Sequence, residues 1–137
     1  MDTIDSVCTR ENMMLKQNIE GFLKISGAVN DESRIKILAF LSQHSQKQDM
    51  FCVCDLQEAL EMNQPRLSRH LKILKDAGFL ELQRKGVWAY YGIKKDLDSL
   101  QKHLLEHIVL LNLSFPSFKI KQNNLARCYH SRSYCQK

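Results

Sequence analysis

The chain has 137 residues and a mass of 16.0 kDa, with 44% hydrophobic residues, 26% charged residues and a formal charge of +5. That is the size of one ordinary domain, apolar enough to bury a core without disulfide or metal staples. No apolar run approaches the roughly 20 residues of a membrane span, and collagen-like, mucin-like and coiled-coil compositions are excluded.

In chain order, residues 11–27 predict an amphipathic helix, because Met14, Leu15, Ile19, Phe22 and Leu23 recur at spacings of three and four. Asn30 or Asp31 is placed to cap a second helix over RIKILAFL, whose Ile35, Leu38 and Leu41 share a face. A polar connection, SQHSQKQDM, follows. FCVCDLQEALEM then starts apolar and turns helical through Leu56, Ala59 and Leu60. Asn63 caps the next helix, Pro65 fits its first turn, and Gly78 stops it. Leu67, Leu71 and Leu74 form its inward stripe, and Ser68, Arg69, Lys72 and Asp76 point outward. FLELQR and VWAYYGI read as two strands joined near Lys85 and Gly86. Leu80, Leu82, Val87, Ala89, Tyr91 and Ile93 are their expected inward residues. A last helix starts at Asp96 or Asp98, carries Leu100, Leu104, Ile108 and Leu111 on one face, and ends before Pro116.

This order predicts a mainly α (α+β) fold, a winged helix-turn-helix in residues 1–118, followed by a basic, mobile tail in 119–137. The charge agrees. Residues 64–95 carry eight basic and two acidic groups, and residues 119–137 carry five basic and none acidic, so two segments hold the positive excess. Clustered cations suit a polyanion. A helix with a basic outward face after a three-residue turn can enter a major groove, and Arg84 and Lys85 at the hairpin tip can lie along the flanking backbone.

The five cysteines are Cys8, Cys52, Cys54, Cys128 and Cys135. An odd count without an apolar leader predicts reduced thiols in the cytoplasm. Reduced cysteines serve as core filler, reactive thiols or soft-metal ligands. Cys52 and Cys54 stand two apart. In an ideal helix such residues point about 200° away from each other, so both reach one ion only if the turn there is extended or distorts. No CxxC, Gly-rich phosphate loop or Ser-His-Asp grouping points to an enzyme.

The segments VNDESRIKIL, FCVCDLQEAL, NQPRLSRHLKILKDAGFL and RKGVWAYYGI resemble, in this order, the ArsR/SmtB family of bacterial metal-responsive repressors, and CVCDL resembles its arsenic branch. The resemblance covers about residues 12–113. It implies a homodimer paired through the first and last helices, operator DNA as partner, and release on effector binding. By matching position the reader is Gln64–Gly78, with Gln64, Arg66, Ser68, Arg69, His70 and Lys72 as DNA-binding candidates alongside Arg84 and Lys85; His70 borders the apolar stripe and reads equally as a satisfied, half-buried histidine. The implied effector is As(III) or Sb(III) at Cys52 and Cys54. The arsenic branch often has a third cysteine where this chain has Gln57. A third sulfur would come from Cys8, or from Cys128 or Cys135, or be absent. Cd²⁺, Pb²⁺ or thiol oxidation is the alternative signal. The family's zinc branch has a site on the last helix. His103, Glu106 and His107 do not match its spacing, because Asp96-Leu97-Asp98 lacks the first histidine, so they read as a solvent face.

Overall fold

The computed structural model describes residues 10–46 and 48–115, with side chains from residue 18 onward. Helix α1 spans Arg10–Ala28 and α2 spans Glu32–His44. Strand β1 is Phe51–Cys52, and α3 (Val53–Leu60) follows it directly. Helix α4 is Gln64–Asp76, β2 and β3 are Leu80–Lys85 and Trp88–Ile93, and α5 is Ser99–Leu110. The expected tail, 119–137, lies outside the described residues.

Local chemistry sets the boundaries. Asp31, not Asn30, caps α2: its carboxylate accepts from the N–H groups of Ser33 (2.8 Å) and Arg34 (3.3 Å). Asn63 caps α4 by accepting from the Arg66 N–H at 3.0 Å, with Pro65 in the first turn. Helix α4 ends in a Schellman motif. Gly78 takes φ +83°, and the Phe79 N–H returns to the Leu74 carbonyl at 3.1 Å. Asp98 and Gln101 form a reciprocal capping box on α5. The Gln101 amide also donates to the Ala77 carbonyl at 2.7 Å, so the start of α5 is docked on the end of α4.

The core is built where the stripes converge. Leu67, Leu71 and Leu74 of α4 are fully buried with Ile37, Leu38 and Leu41 of α2, Leu56 of α3 and Phe79. Each such side chain contributes roughly 1.5–3 kcal/mol by leaving water. Phe40 meets Phe51 edge-on, with ring centroids 5.3 Å apart.

Three details depart from the sequence reading. The sheet has three strands in the order β1-β3-β2, because Phe51 pairs with Tyr91 and Cys52 with Tyr90 ahead of α3. Both faces of β3 are therefore used. Ala89, Tyr91 and Ile93 pack on the main core as their spacing predicts, while Trp88 and Tyr90, of opposite parity, join Met50, Cys52 and Cys54 in a second cluster. Val87 is 61% exposed, since it forms the hairpin tip with Gly86. The buried side of α5 is Gln101, Leu105 and Ile108, rotated from the expected one, and it leaves Leu111 exposed.

Candidate nucleic-acid interface and thiol site

Helices α3 and α4, joined by the turn at Glu61, Met62 and Asn63, form the helix-turn-helix, and β2–β3 is the wing beside it. Between α4 and the wing lies an open cleft of about 760 Å³. Gln64, Ser68, Lys72 and Lys75 line it from α4 at spacings of three and four, and Arg84 closes it from the wing. The structure thus gathers four of the expected DNA-binding residues, Gln64, Ser68, Lys72 and Arg84, around one cleft. Lys75 and Tyr91 also line it, although the sequence reading passed over them as site residues. Lys75 was accessible to the same helical count, being seven residues beyond Ser68. Burial raises the Tyr91 phenol above its ordinary value, with Arg84 pulling the other way and Asp76 reinforcing it, so the group stays a neutral donor.

The remaining candidates sit elsewhere. Lys85 places its ammonium 5.6 Å from the centroid of the Tyr90 ring. Arg69 is exposed on the outer surface of α4. Arg66 and His70 face α2. The Arg66 guanidinium donates to the buried Ser33 hydroxyl at 2.7 Å. The Arg34 Nη1 lies 3.2 Å from His70 Nδ1, while its Nε and Nη2 donate to the Ala28 and Gly27 carbonyls at 2.6 and 3.3 Å. Arg34 therefore ties the end of α1 to the reader helix. Because a guanidinium only donates, this contact needs an unprotonated Nδ1.

Burial lowers the pKa of His70 from 6.5. Asp31 opposes the shift, and Arg34, Arg66 and Arg69 add to it. For Asp31, burial alone would raise the pKa, but the N–H groups of Arg34 and Ser33 outweigh it, and the carboxyl lies below its ordinary value. Both folded-state values are depressed, so both groups stabilise the fold above their unfolded pKa values. That contribution is lost as pH falls, for His70 from about 6.5 downward and for Asp31 in the carboxylate range. Denaturant midpoints are expected to fall between about pH 7 and pH 5, and His70→Asn, which keeps an acceptor but cannot titrate, should flatten that fall. An unchanged slope in His70→Asn would remove His70 as its source.

The thiol pair is built by the junction of β1 and α3. Cys52 is the N-cap of α3, with extended backbone (φ −64°, ψ 146°), and Cys54 lies in the first helical turn. The extended residue removes the opposed directions of an ideal helix, and the Sγ atoms approach to 2.8 Å as thiols. Both are buried, at 1% and 9% exposure, beneath Tyr90 and Trp88 of the wing. Two convergent sulfurs suit a soft, thiophilic ion and disfavour oxygen-seeking cations. Cys8, Cys128 and Cys135 lie outside the described residues. Among the described residues, no three His, Cys, Asp or Glu side chains converge as a metal site, and His103, Glu106 and His107 are exposed on α5. No helix of the described residues is long and apolar enough to cross a membrane.

Sequence and fold both match known proteins. Residues 31–81, from the cap of α2 into β2, match the model of the bacterial regulatory protein, arsR family. The chain is 34% identical over 82 residues to the arsenic resistance transcriptional regulator ArsR1 of Pseudomonas putida, spanning 60% of this chain and 61% of that relative. It is 30% identical over 106 residues to a cadmium resistance transcriptional regulatory protein CadC homolog of Staphylococcus aureus, spanning 77% of this chain and 82% of the relative. The fold is that of HlyU from Vibrio cholerae N16961, with a TM-score of 0.56 at 23% identity over 69% of this chain and 94% of that one. With its helix-turn-helix matched in sequence and most of the CadC homolog's length aligned, the chain belongs to the arsR family of bacterial regulatory proteins.

Proposed function

We propose that this chain is a DNA-binding transcriptional repressor of the cytoplasm that releases its operator when Cys52 and Cys54 take up As(III) or Sb(III). The observation that carries the reading is the convergence of two buried thiols at the N-terminus of the helix that precedes the reader. The trivalent metalloid supplies a thiophilic centre that bonds to thiolates. An ion between these sulfurs has to part them, and so displaces Cys54 on α3 and Cys52 beside Tyr90 of the wing. The wing, which flanks the cleft, and α3, which leads into the reader helix, are thereby coupled to the thiols. Gln64, Ser68, Lys72 and Arg84 are assigned to groove and phosphate contacts from the cleft, and Arg66, Arg69, His70 and Lys85, which lie outside it, to contacts beyond it. A third sulfur comes from Cys8, or from Cys128 or Cys135, or is absent, leaving a site of two sulfurs. Similarity to the CadC homolog supports a second reading, in which the same pair answers Cd²⁺.

The DNA-bound form is assigned as a homodimer. Ile19, Phe22 and Leu23 on α1, Val109 and Leu110 on α5 and Leu111 at its C-cap are exposed apolar side chains, a surface that monomers rarely show to water. Leu110→Glu is expected to convert a dimer into monomers in sedimentation velocity, and a dimer that persists would move the interface off α5.

The test of function is fluorescence anisotropy of the reduced protein on DNA from upstream of its own gene. Tight, salt-sensitive binding is expected, weakened by arsenite about 5- to 150-fold. Release by Cd²⁺ but not arsenite would favour the second reading, and absence of salt-sensitive DNA binding would overturn both.

A further inference from the structure

We propose that Met50 is a third sulfur donor that makes the Cys52–Cys54 pair a site for monovalent copper within a single protomer. The inference rests on the thiol pair being a metal site, as in the repressor reading, but not on arsenic as the effector.

Strand parity places the thioether. Met50 and Cys52 are two apart in extended chain, so both side chains leave the same face of the sheet. Phe51, between them, goes to the main core, whereas Met50 packs with Cys52, Cys54, Tyr90 and Trp88. The backbone is arranged to receive its sulfur. A Cβ on Gly92 would lie 2.6 Å from Met50 Sδ, so the missing side chain on β3 makes the space that the thioether occupies. The Gln48 amide donates to the Met50 carbonyl at 2.6 Å and fixes the residue just before the strand. Met50 is half-buried while the two thiols are buried, which puts the thioether at the mouth of the cluster. Met62, by contrast, is buried in the main core.

Charge selects the ion. Two thiolates and a neutral thioether around a monovalent cation leave one net negative charge in a buried setting, and the third bond adds none. A trivalent metalloid held by two thiolates needs a further anionic ligand, which a thioether does not supply. Soft thiolate and thioether donors together select Cu(I). Each thiol releases its proton to solvent as its Cu–S bond forms. The thioether donates a lone pair, and copper stays monovalent, so no oxidant or reductant is consumed.

The experiment titrates the full-length, reduced protein with Cu(I) under anaerobic conditions against a chromophoric Cu(I) chelator. One Cu(I) per protomer is expected. Met50→Leu, which keeps an apolar side chain of similar volume, should weaken binding by about tenfold or more. Wild-type protein grown on selenomethionine requires no substitution in the site, and its copper-edge absorption spectrum should contain a Cu–Se scattering path that Met50→Leu removes. Unchanged affinity in Met50→Leu, or the absence of a Cu–Se path in the wild type, would overturn the assignment. If arsenite fails to release DNA while the Cu–Se path is present, the arsenic reading falls and the copper site stands. If Cys52→Ser binds Cu(I) as tightly as the wild type, the thiol pair is not a metal site and both fall.

Discussion

Cys54→Ala is expected to keep operator affinity within about twofold and to lose arsenite release altogether, a change of up to about 150-fold in the ratio of the two affinities. The expectation follows from where the residue sits. Cys54 is at the buried start of α3 and, unlike its neighbour Val53, does not line the cleft, so its truncation removes a sulfur without removing a lining side chain. Alanine is preferred to serine because the site is apolar, and a hydroxyl there would add a desolvation cost of about 1–3 kcal/mol to the loss of the ligand. Anisotropy with and without arsenite, on protein whose thermal midpoint has been compared with the wild type, measures both quantities. Release by arsenite that survives in Cys54→Ala would remove this thiol from the effector site.

Gly92→Ala is expected to be the most destabilising single-methyl substitution in the wing. Gly92 is buried in β3, and a Cβ there would collide with the Asp49 carbonyl oxygen and lie 2.6 Å from Met50 Sδ. The first contact is with backbone, which cannot swing away as a side-chain tip does. Relief requires β1 to separate from β3, which would undo the Phe51–Tyr91 and Cys52–Tyr90 pairings. A loss of about 3 kcal/mol, at the upper end of the usual overpacking range, is expected in denaturant unfolding, together with loss of the effector response. Gly21 supplies the control, because nothing lies within 4 Å of a Cβ built there, in the middle of α1. Gly21→Ala should instead stabilise by up to about 1 kcal/mol. Equal stabilities for the two variants would show that β1 is not held against β3 as described.

The order of elements was legible in the sequence because it is written in local chemistry. Asn63, Pro65 and Gly78 bracket the reader helix by capping and conformational preference alone, and its three leucines point inward by spacing. What stayed hidden depends on contacts between distant segments. A two-residue strand has no periodicity of its own, and β1 exists only because β3 lies beside it. The second, thiol-bearing face of the sheet was invisible for the same reason: Trp88 and Tyr90 fall on the parity that alternation assigns to solvent. By spacing, Arg66 lies on the flank of α4 and His70 borders its apolar stripe, and it is the family resemblance that made them DNA-binding candidates. Their contacts with Ser33 and Arg34, more than thirty residues earlier, are not written in that spacing. The stripe Ile19, Phe22 and Leu23 was read correctly as apolar, but it faces away from its own protomer.

The second cluster also gives the molecule an optical property. Trp88 is the single tryptophan of the chain, and it packs against the cluster of Cys52, Cys54 and Tyr90. In the proposed effector site, a heavy, polarisable ion among those sulfurs would lie in the cluster on which the indole packs and would quench its emission through spin–orbit coupling. Because there is one indole, the signal has one origin and needs no deconvolution. Stopped-flow fluorescence at this tryptophan therefore times the arrival of the ion, while a dye on the DNA times the departure of the protein. The interval between the two traces is the lifetime of the ternary complex of protein, ion and operator.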